Sequence, residues 1–188
     1  MPIYNGNSKD KLEPEEIYIY KLKKRLPYYT VEQVIWGGIT TEQLIDYSIS
    51  YYKKWTPNLI LVHSGINDVK NQFISPKSSN TLYKLFSLFK VDKKSYKKNI
   101  LYNPNLIKYH YEPKVNLKKF KAVIKKIKNT FKQTKIIWIG IHGNKKINKE
   151  RPNTYKIIST YNKILKKEFK NLFISDEIFN KKKHFTKD

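Results

Sequence analysis

The sequence contains no cysteine and only two arginines, Arg25 and Arg151, although 39 of its 188 residues are basic. The lack of cysteine excludes a disulfide framework, a thiolate nucleophile and zinc held by thiolates. The shortage of arginine removes most of the planar guanidinium groups that recognise bases and phosphates through two-point contacts. The 37 lysines are therefore a weaker argument for nucleic-acid binding than the formal net charge of +24 suggests.

Long apolar runs are also missing. The longest, Leu59–Val62 and Ile136–Ile141, fall far short of the ~20 residues that a membrane span needs, and residues 1–10 lack the apolar region of a signal peptide. We therefore expect a cytoplasmic protein without a membrane span. With 39% hydrophobic and 14% aromatic residues, the chain suits one folded domain over residues 1–188 rather than a disordered basic tail.

The high lysine content has two explanations. Lysine is accompanied by many asparagine, isoleucine and tyrosine residues, which is the bias that an AT-rich genome produces. The alternative is selection for an anionic partner such as a nucleic acid. We favour compositional bias, and the sequence does not indicate an oligomeric state.

Short apolar runs alternate with helical stripes along the chain. Strands are predicted at 31–36, 58–63, 135–141 and 172–175, and helices at 14–26, 40–55, 116–133 and 154–170. This alternation predicts an α/β fold in which helices cover both faces of a mostly parallel sheet. Residues from about 65 to 115 carry no clean period, and we interpret them as a long insertion with one possible helix at 81–89.

The helix predicted at 40–55 has the clearest start signal. Thr40 is its expected N-cap, and Gln43 completes a capping box. Its predicted inward face is the stripe Leu44, Tyr47, Ser48, Tyr51 and Trp55.

Two predicted strand ends carry glycine and polar side chains, and ligands of parallel sheets bind at such ends. The first is Trp36-Gly37-Gly38-Ile39-Thr40-Thr41, and the second is His63-Ser64-Gly65-Ile66-Asn67-Asp68. The Gly38 N–H and the Asn67 amide are suited to stabilise the negative charge that develops in acyl transfer. The same residue types are also common where a strand simply turns, so a purely structural role stays open.

These segments resemble two sequence blocks of the SGNH (GDSL-type) hydrolases. Gly65-Ile66-Asn67-Asp68, after its apolar run, is similar to the G-x-N-D block, and Gly38-Ile39-Thr40-Thr41 is similar to the G-x-T-T block. The resemblance implies a three-layer αβα sandwich with a mostly parallel sheet of flavodoxin-like topology. It also implies acyl transfer from lipids, small esters or O-acetylated sugars, with Gly38 and Asn67 as oxyanion donors and no metal or cofactor.

The other two blocks of the family contain its nucleophilic serine and its catalytic histidine. The last block, D-x-x-H, is matched by Asp188, which the resemblance makes the acid that orients the histidine. The first block, G-D-S, has its nearest match in Gly6-Asn7-Ser8, where Ser8 is either the nucleophile or a loop serine. One alternative pairs His184 with Asp188 as a substitute base.

We therefore predict an SGNH-type acyl ester hydrolase or acyltransferase that acts on a small acyl ester or an O-acylated sugar. Because the nucleophile and the base have no clear match, we expect a fragment or truncated gene product with little or no esterase activity alone. Robust turnover of p-nitrophenyl acetate, lost in Ser8→Ala, would overturn that expectation.

Two other functions remain open. One is a non-catalytic protein that binds an anionic polymer or glycan through its lysines, and the other is an inactive relative that binds a sugar or acyl ligand. Binding that weakens steeply with salt would favour the first of these.

Overall fold

The computed structural model describes residues 18–34, 37–143 and 145–175. The chain divides into two compact units, with the boundary between Ile39 and Thr40. In the first unit, helix α1 spans Tyr18–Arg25, and residues 31–34 have no regular secondary structure. The strand predicted at 31–36 is therefore wrong over 31–34, and residues 35 and 36 lie outside the described residues. An apolar run becomes a strand only when a neighbouring strand accepts its backbone hydrogen bonds, and residues 31–34 take part in no strand ladder.

The second unit alternates helices with short strands. Its helices are α2 (Thr41–Tyr52), α3 (Pro76–Leu88), α4 (Lys93–Tyr96), α5 (Pro104–Tyr109), α6 (Leu117–Thr130), α7 (Lys145–Glu150) and α8 (Thr154–Phe169). Its strands are β1 (Leu59–Val62), β2 (Asn71–Gln72), β3 (Glu112–Pro113), β4 (Lys135–Ile139) and β5 (Phe173–Ile174). A π-helical turn, Lys97–Leu101, follows α4, and a 3-10 turn, Lys170–Leu172, follows α8.

Three of these strands form a parallel sheet in the order β1-β4-β5. Leu59 lies opposite Lys135 and Val62 opposite Trp138, while Trp138 also lies opposite Phe173. The α/β class with a parallel sheet is confirmed, whereas the three-layer sandwich and the single domain over 1–188 stay predictions. The carboxyl ends of β1 and β4 meet at one edge of the sheet, so the residues that follow them are neighbours.

The segment from 65 to 115, predicted to be an irregular insertion, is largely helical. It contains α3, α4, the π-helical turn and α5, and the antiparallel pair β2–β3 joins its two ends. The possible helix at 81–89 is confirmed but begins earlier, at Pro76. Ser75, Asp92 and Asn103 each cap a helix by accepting a hydrogen bond from a backbone N–H. Helices as short as α4 and α5 show too few turns for a period to be visible in the sequence.

The core of the second unit lies between the sheet and two amphipathic helices. The helices predicted at 116–133 and 154–170 are confirmed as α6, which begins after its N-cap Asn116, and α8. Helix α8 packs against β4 and β5. Trp138 of β4 is fully buried, with its ring centroid 6.2 Å from that of Phe120 and 5.2 Å from that of Phe169. The buried apolar side chains of the two helices are Phe120, Val123, Ile124, Ile127, Ile157, Ile158, Tyr161, Leu165 and Phe169.

Helix α2 has the predicted capping box but a different buried face. The Gln43 N–H donates to Thr40 Oγ1 over 3.4 Å, and the Thr40 N–H donates to Gln43 Oε1 over 2.9 Å. Tyr47, Tyr51 and Trp55, however, are exposed, and the helix ends at Tyr52. The fully buried residues of the helix are Thr41 and Ile45, because the first turn is held by a polar contact that the hydrophobic pattern does not reveal.

Candidate active site

The first turn of α2 is hydrogen-bonded to the segment that follows β1. The backbone N–H of Thr41 lies 3.0 Å from Asp68 Oδ1 and 3.2 Å from Oδ2, and the Thr41 hydroxyl donates to Oδ2. Ser64 Oγ lies 2.9 Å from Thr41 Oγ1. Because the single hydroxyl hydrogen of Thr41 goes to Asp68, Ser64 is the donor in this second contact. We call Thr41, Ser64 and Asp68 the strand-end network.

Asp68 is the centre of this network and is completely buried. Burial raises the pKa of its carboxyl group, and the hydrogen bonds from Thr41 oppose that rise. Its backbone is also paired, since its N–H donates to Gly65 O over 2.9 Å and its carbonyl accepts from Val115 N over 3.1 Å. Tyr161, whose hydroxyl donates to Val115 O, has a raised pKa because of burial and the nearby charge of Asp68. Asp68 therefore joins α2, the end of β1 and the start of α6.

Gly65 forms the turn that brings Asp68 back toward β1. Its φ is +116°, a backbone conformation that residues with a side chain rarely adopt. A Cβ atom at this position would lie 2.6 Å from the side chain of Ile141, which follows β4. Ile141 is held in turn by the Asn162 side chain, which accepts from Ile141 N over 2.8 Å and donates to Ile141 O over 3.0 Å. The two strand ends are thus packed together with no room for a larger residue at 65.

Two histidines lie at the same edge of the sheet. His63 directly follows β1, and His142 follows β4. Partial burial lowers the pKa of His63, and the charge of nearby His142 lowers it further. The lowered pKa keeps the His63 imidazole neutral near neutral pH. The sequence assigned neither histidine a catalytic role, because 78 intervening residues separate them and only the pairing of β1 with β4 brings them together.

The site residues predicted from the sequence fall in three parts of the chain: the first unit, the second unit and the residues that the structure does not describe. Asn67 is half-buried and lies in the second unit, directly before Asp68. Gly38 lies in the first unit with a φ of +81°, so its predicted pairing with Asn67 stays a prediction. Ser8, His184 and Asp188 lie outside the described residues. Thr41, which the sequence did not single out, is the hydrogen-bond partner of Asp68, and Ser64 bonds in turn to the Thr41 hydroxyl. The T-T pair of the G-x-T-T block was the available signal for Thr41.

Within the described ranges, no group of three or more histidine, cysteine, aspartate or glutamate side chains is placed to hold a metal ion. No helix in the same ranges has both the length and the apolar character that crossing a membrane requires.

Comparison of the chain with protein-family models, curated proteins and solved structures finds no match in any of the three.

Proposed function

We propose that the chain is an SGNH-type acyl ester hydrolase or acyltransferase, with a small acyl ester or an O-acylated sugar as its substrate. The observation that carries this proposal is the hydrogen bonding of Thr41 to Asp68. These residues end the two segments that resemble the G-x-T-T and G-x-N-D blocks. Two short motifs that were matched independently in the sequence are therefore in direct contact, which a chance resemblance would not require.

The strand-end network gives these segments a physical role. Asp68 directly follows Asn67 and is buried, and the hydrogen bonds of its N–H and carbonyl hold the backbone next to Asn67 in place. A donor that is held in place before the reaction costs no reorganisation when the oxyanion forms, and this is why preorganised donors accelerate acyl transfer. In the proposal, Asp68, Thr41 and Ser64 position Asn67, and they take no part in the chemical step.

The remaining roles follow the resemblance. Gly38 N–H would be the second oxyanion donor, and Asp188 would orient a histidine that acts as the base. Ser8 is the nearest candidate for a nucleophile that forms an acyl-enzyme and releases the alcohol. The reaction needs no metal or cofactor, because the base moves the proton and the two donors stabilise the charge.

The oxyanion donors can be tested without assuming a nucleophile. Acetate is the product of acetyl ester hydrolysis, and its carboxylate presents oxygen atoms to the same donors. We expect acetate, but not an equal concentration of chloride, to shift the NMR signals of the Gly38 backbone amide and the Asn67 side-chain amide with one shared affinity. The Asn162 side-chain amide is a matched control, because both of its ends are bound to Ile141.

The Asn67→Ala variant completes the test. It should weaken acetate binding as followed at the Gly38 amide, and it should lower any p-nitrophenyl acetate turnover by about 10²–10³-fold. Gly38 and Asn67 signals that titrate with different affinities, or that do not respond to acetate, would contradict the proposal.

A further inference from the structure

An open groove of about 890 Å³ lies on the second unit, and no residue of the strand-end network lines it. Its walls come from α4, the π-helical turn, the start of α5 and the residues at the end of α7. Five of its ten lining residues are cationic, and one, Glu150, is acidic. We call it the lysine groove and define it by Lys93, Lys94, Lys97, Lys98, Tyr102 and Arg151.

Arg151 is held in a fixed position in this groove. Its guanidinium carbon lies 3.9 Å from the centroid of the Tyr102 ring, and its Nη1 donates to Asn71 O over 2.9 Å. Asn71 is completely buried, and its side chain accepts from Thr154 Oγ1 over 3.3 Å and donates to Pro152 O. The one arginine of the second unit is therefore preorganised, so its planar set of donors loses little entropy on binding an anion.

The lysines add a concentrated positive charge opposite this arginine. Lys93 and Lys97 are separated by one helical turn, and so are Lys94 and Lys98. The pKa of nearby Lys70 is lowered by burial and then by the positive charges of Arg151 and Lys114, with Glu150 acting in the opposite direction. Like charges gathered at such density raise the electrostatic energy of the free protein, and a bound anion would lower it.

We propose that the lysine groove binds a ligand that carries two or more phosphate groups. The groove is far larger than a single phosphate, and its cations are distributed over both walls. Lysine ammonium groups contact phosphates as point charges, so recognition in this groove is by charge and phosphate spacing. The phosphates belong either to a small polyphosphorylated molecule or to the backbone of a single-stranded nucleic acid. This site is separate from the acyl-transfer proposal and does not depend on it.

The test compares two variants that remove the same charge from the same unit. The groove variant carries Lys94→Gln, Lys97→Gln and Lys98→Gln. Lys93 is kept because its ammonium group lies 5.9 Å from the centroid of the Tyr83 ring. The control variant carries Lys118→Gln, Lys121→Gln and Lys125→Gln on the exposed face of α6. Thermal unfolding verifies that both variants are folded.

Binding is measured with tripolyphosphate by calorimetry and with a short fluorescein-labelled oligothymidylate by fluorescence anisotropy. We expect the groove variant to bind at least about tenfold more weakly and to have a salt dependence flatter by about two units in the log–log slope for the oligonucleotide. The control variant should stay close to the wild type.

The two probes separate the sources of phosphate. Binding of tripolyphosphate alone supports a small polyphosphorylated ligand, and tighter binding of the oligonucleotide that tripolyphosphate displaces supports a nucleic-acid backbone. Equal weakening in both variants would overturn the proposal, because the binding would then reflect the diffuse charge of the whole surface. Failure of both probes to bind the wild type at low salt would also overturn it.

Discussion

The strand-end network and the lysine groove lie in the same unit and differ in how their polar groups are stabilised. In the network, the Asp68 carboxylate is completely buried and accepts hydrogen bonds from both the backbone N–H and the hydroxyl of Thr41. In the groove, Lys94, Lys97 and Lys98 are exposed to solvent and line an open cavity. The network is therefore stabilised by hydrogen bonds between particular atoms, whereas the groove is defined by a high density of positive charge.

This difference determines how each region should respond to mutation. A buried polar group that loses its partner pays the full cost of desolvation, so single substitutions in the network should strongly destabilise the fold. An exposed lysine loses little when its charge is removed, because water already solvates it. Stability should therefore depend on the network, and ionic-strength-dependent binding should depend on the groove.

The largest effect is expected for Asp68→Ala. The substitution leaves the Thr41 N–H and hydroxyl buried without an acceptor and creates a cavity, so the free energy of unfolding should fall by about 3–5 kcal/mol. Urea denaturation of the purified protein measures this loss. Asp68→Asn is the matched control, because it keeps one oxygen for the Thr41 N–H and should lose about half as much. Equal stability of Asp68→Ala and the wild type would show that the network does not hold α2 to β1.

The Asp68→Asn variant also isolates the pH dependence of the carboxyl group. Burial raises the pKa of Asp68 above its ordinary value of 3.8, so the folded protein binds this proton more tightly than the unfolded chain does. The stability that this group contributes is therefore complete below pH 3.8 and is lost as the pH rises through the folded pKa. We expect the free energy of unfolding of the wild type to fall relative to Asp68→Asn over that range. The opposite trend would mean that the Thr41 hydrogen bonds outweigh burial.

Gly65→Ala should be the next most damaging change. It forces a side chain into a φ of +116° and places a Cβ atom 2.6 Å from Ile141, so we expect a loss of about 2–4 kcal/mol in denaturant unfolding. Gly37→Ala is the control, because no atom lies within 4 Å of the position its Cβ would occupy. Similar losses for the two variants would mean that the close contact between the ends of β1 and β4 does not matter.

The network also shows how far the sequence could predict the site. The capping box of Thr40 and Gln43 follows from a short local motif and the β1 strand from a local apolar run, and the structure confirms both. The buried face of α2 could not be predicted this way, because a polar contact between Thr41 and Asp68 fixes the rotation of the helix. Hydrophobic periodicity contains no information about a buried carboxylate that bonds to a residue 27 positions away.

The lysine groove was missed for a different reason. Its lysines look like ordinary solvated positions, and the segment that carries them was expected to be irregular. Arg151 and Tyr102 are far apart in the sequence, and their contact depends on the packing of α7 against the rest of the unit. Composition therefore indicated that positive charge was abundant, but only the fold shows where it is concentrated.

Arg151→Ala tests the groove residue that, like Asp68 in the network, is held by contacts with specific atoms. Loss of the contact with Tyr102 and of the hydrogen bond to Asn71 O should lower the free energy of unfolding by about 1–2 kcal/mol. Arg151→Lys keeps the charge but loses the planar stack, so thermal unfolding should place it between the wild type and Arg151→Ala. A Lys variant as unstable as the Ala variant would assign the whole effect to the guanidinium geometry.

The smallest effect on stability is expected for the triple substitution Lys94→Gln, Lys97→Gln and Lys98→Gln. These side chains are exposed and surrounded by like charges, so each substitution should change the free energy of unfolding by less than about 0.5 kcal/mol, and relief of repulsion favours a slight gain. Urea denaturation at low and high salt measures this, and the gain should disappear at high salt because the repulsion is screened. A loss comparable to that of Gly65→Ala would mean that the lysines support the fold itself. The contrast between an atom-specific network and a charge-based groove would then be wrong.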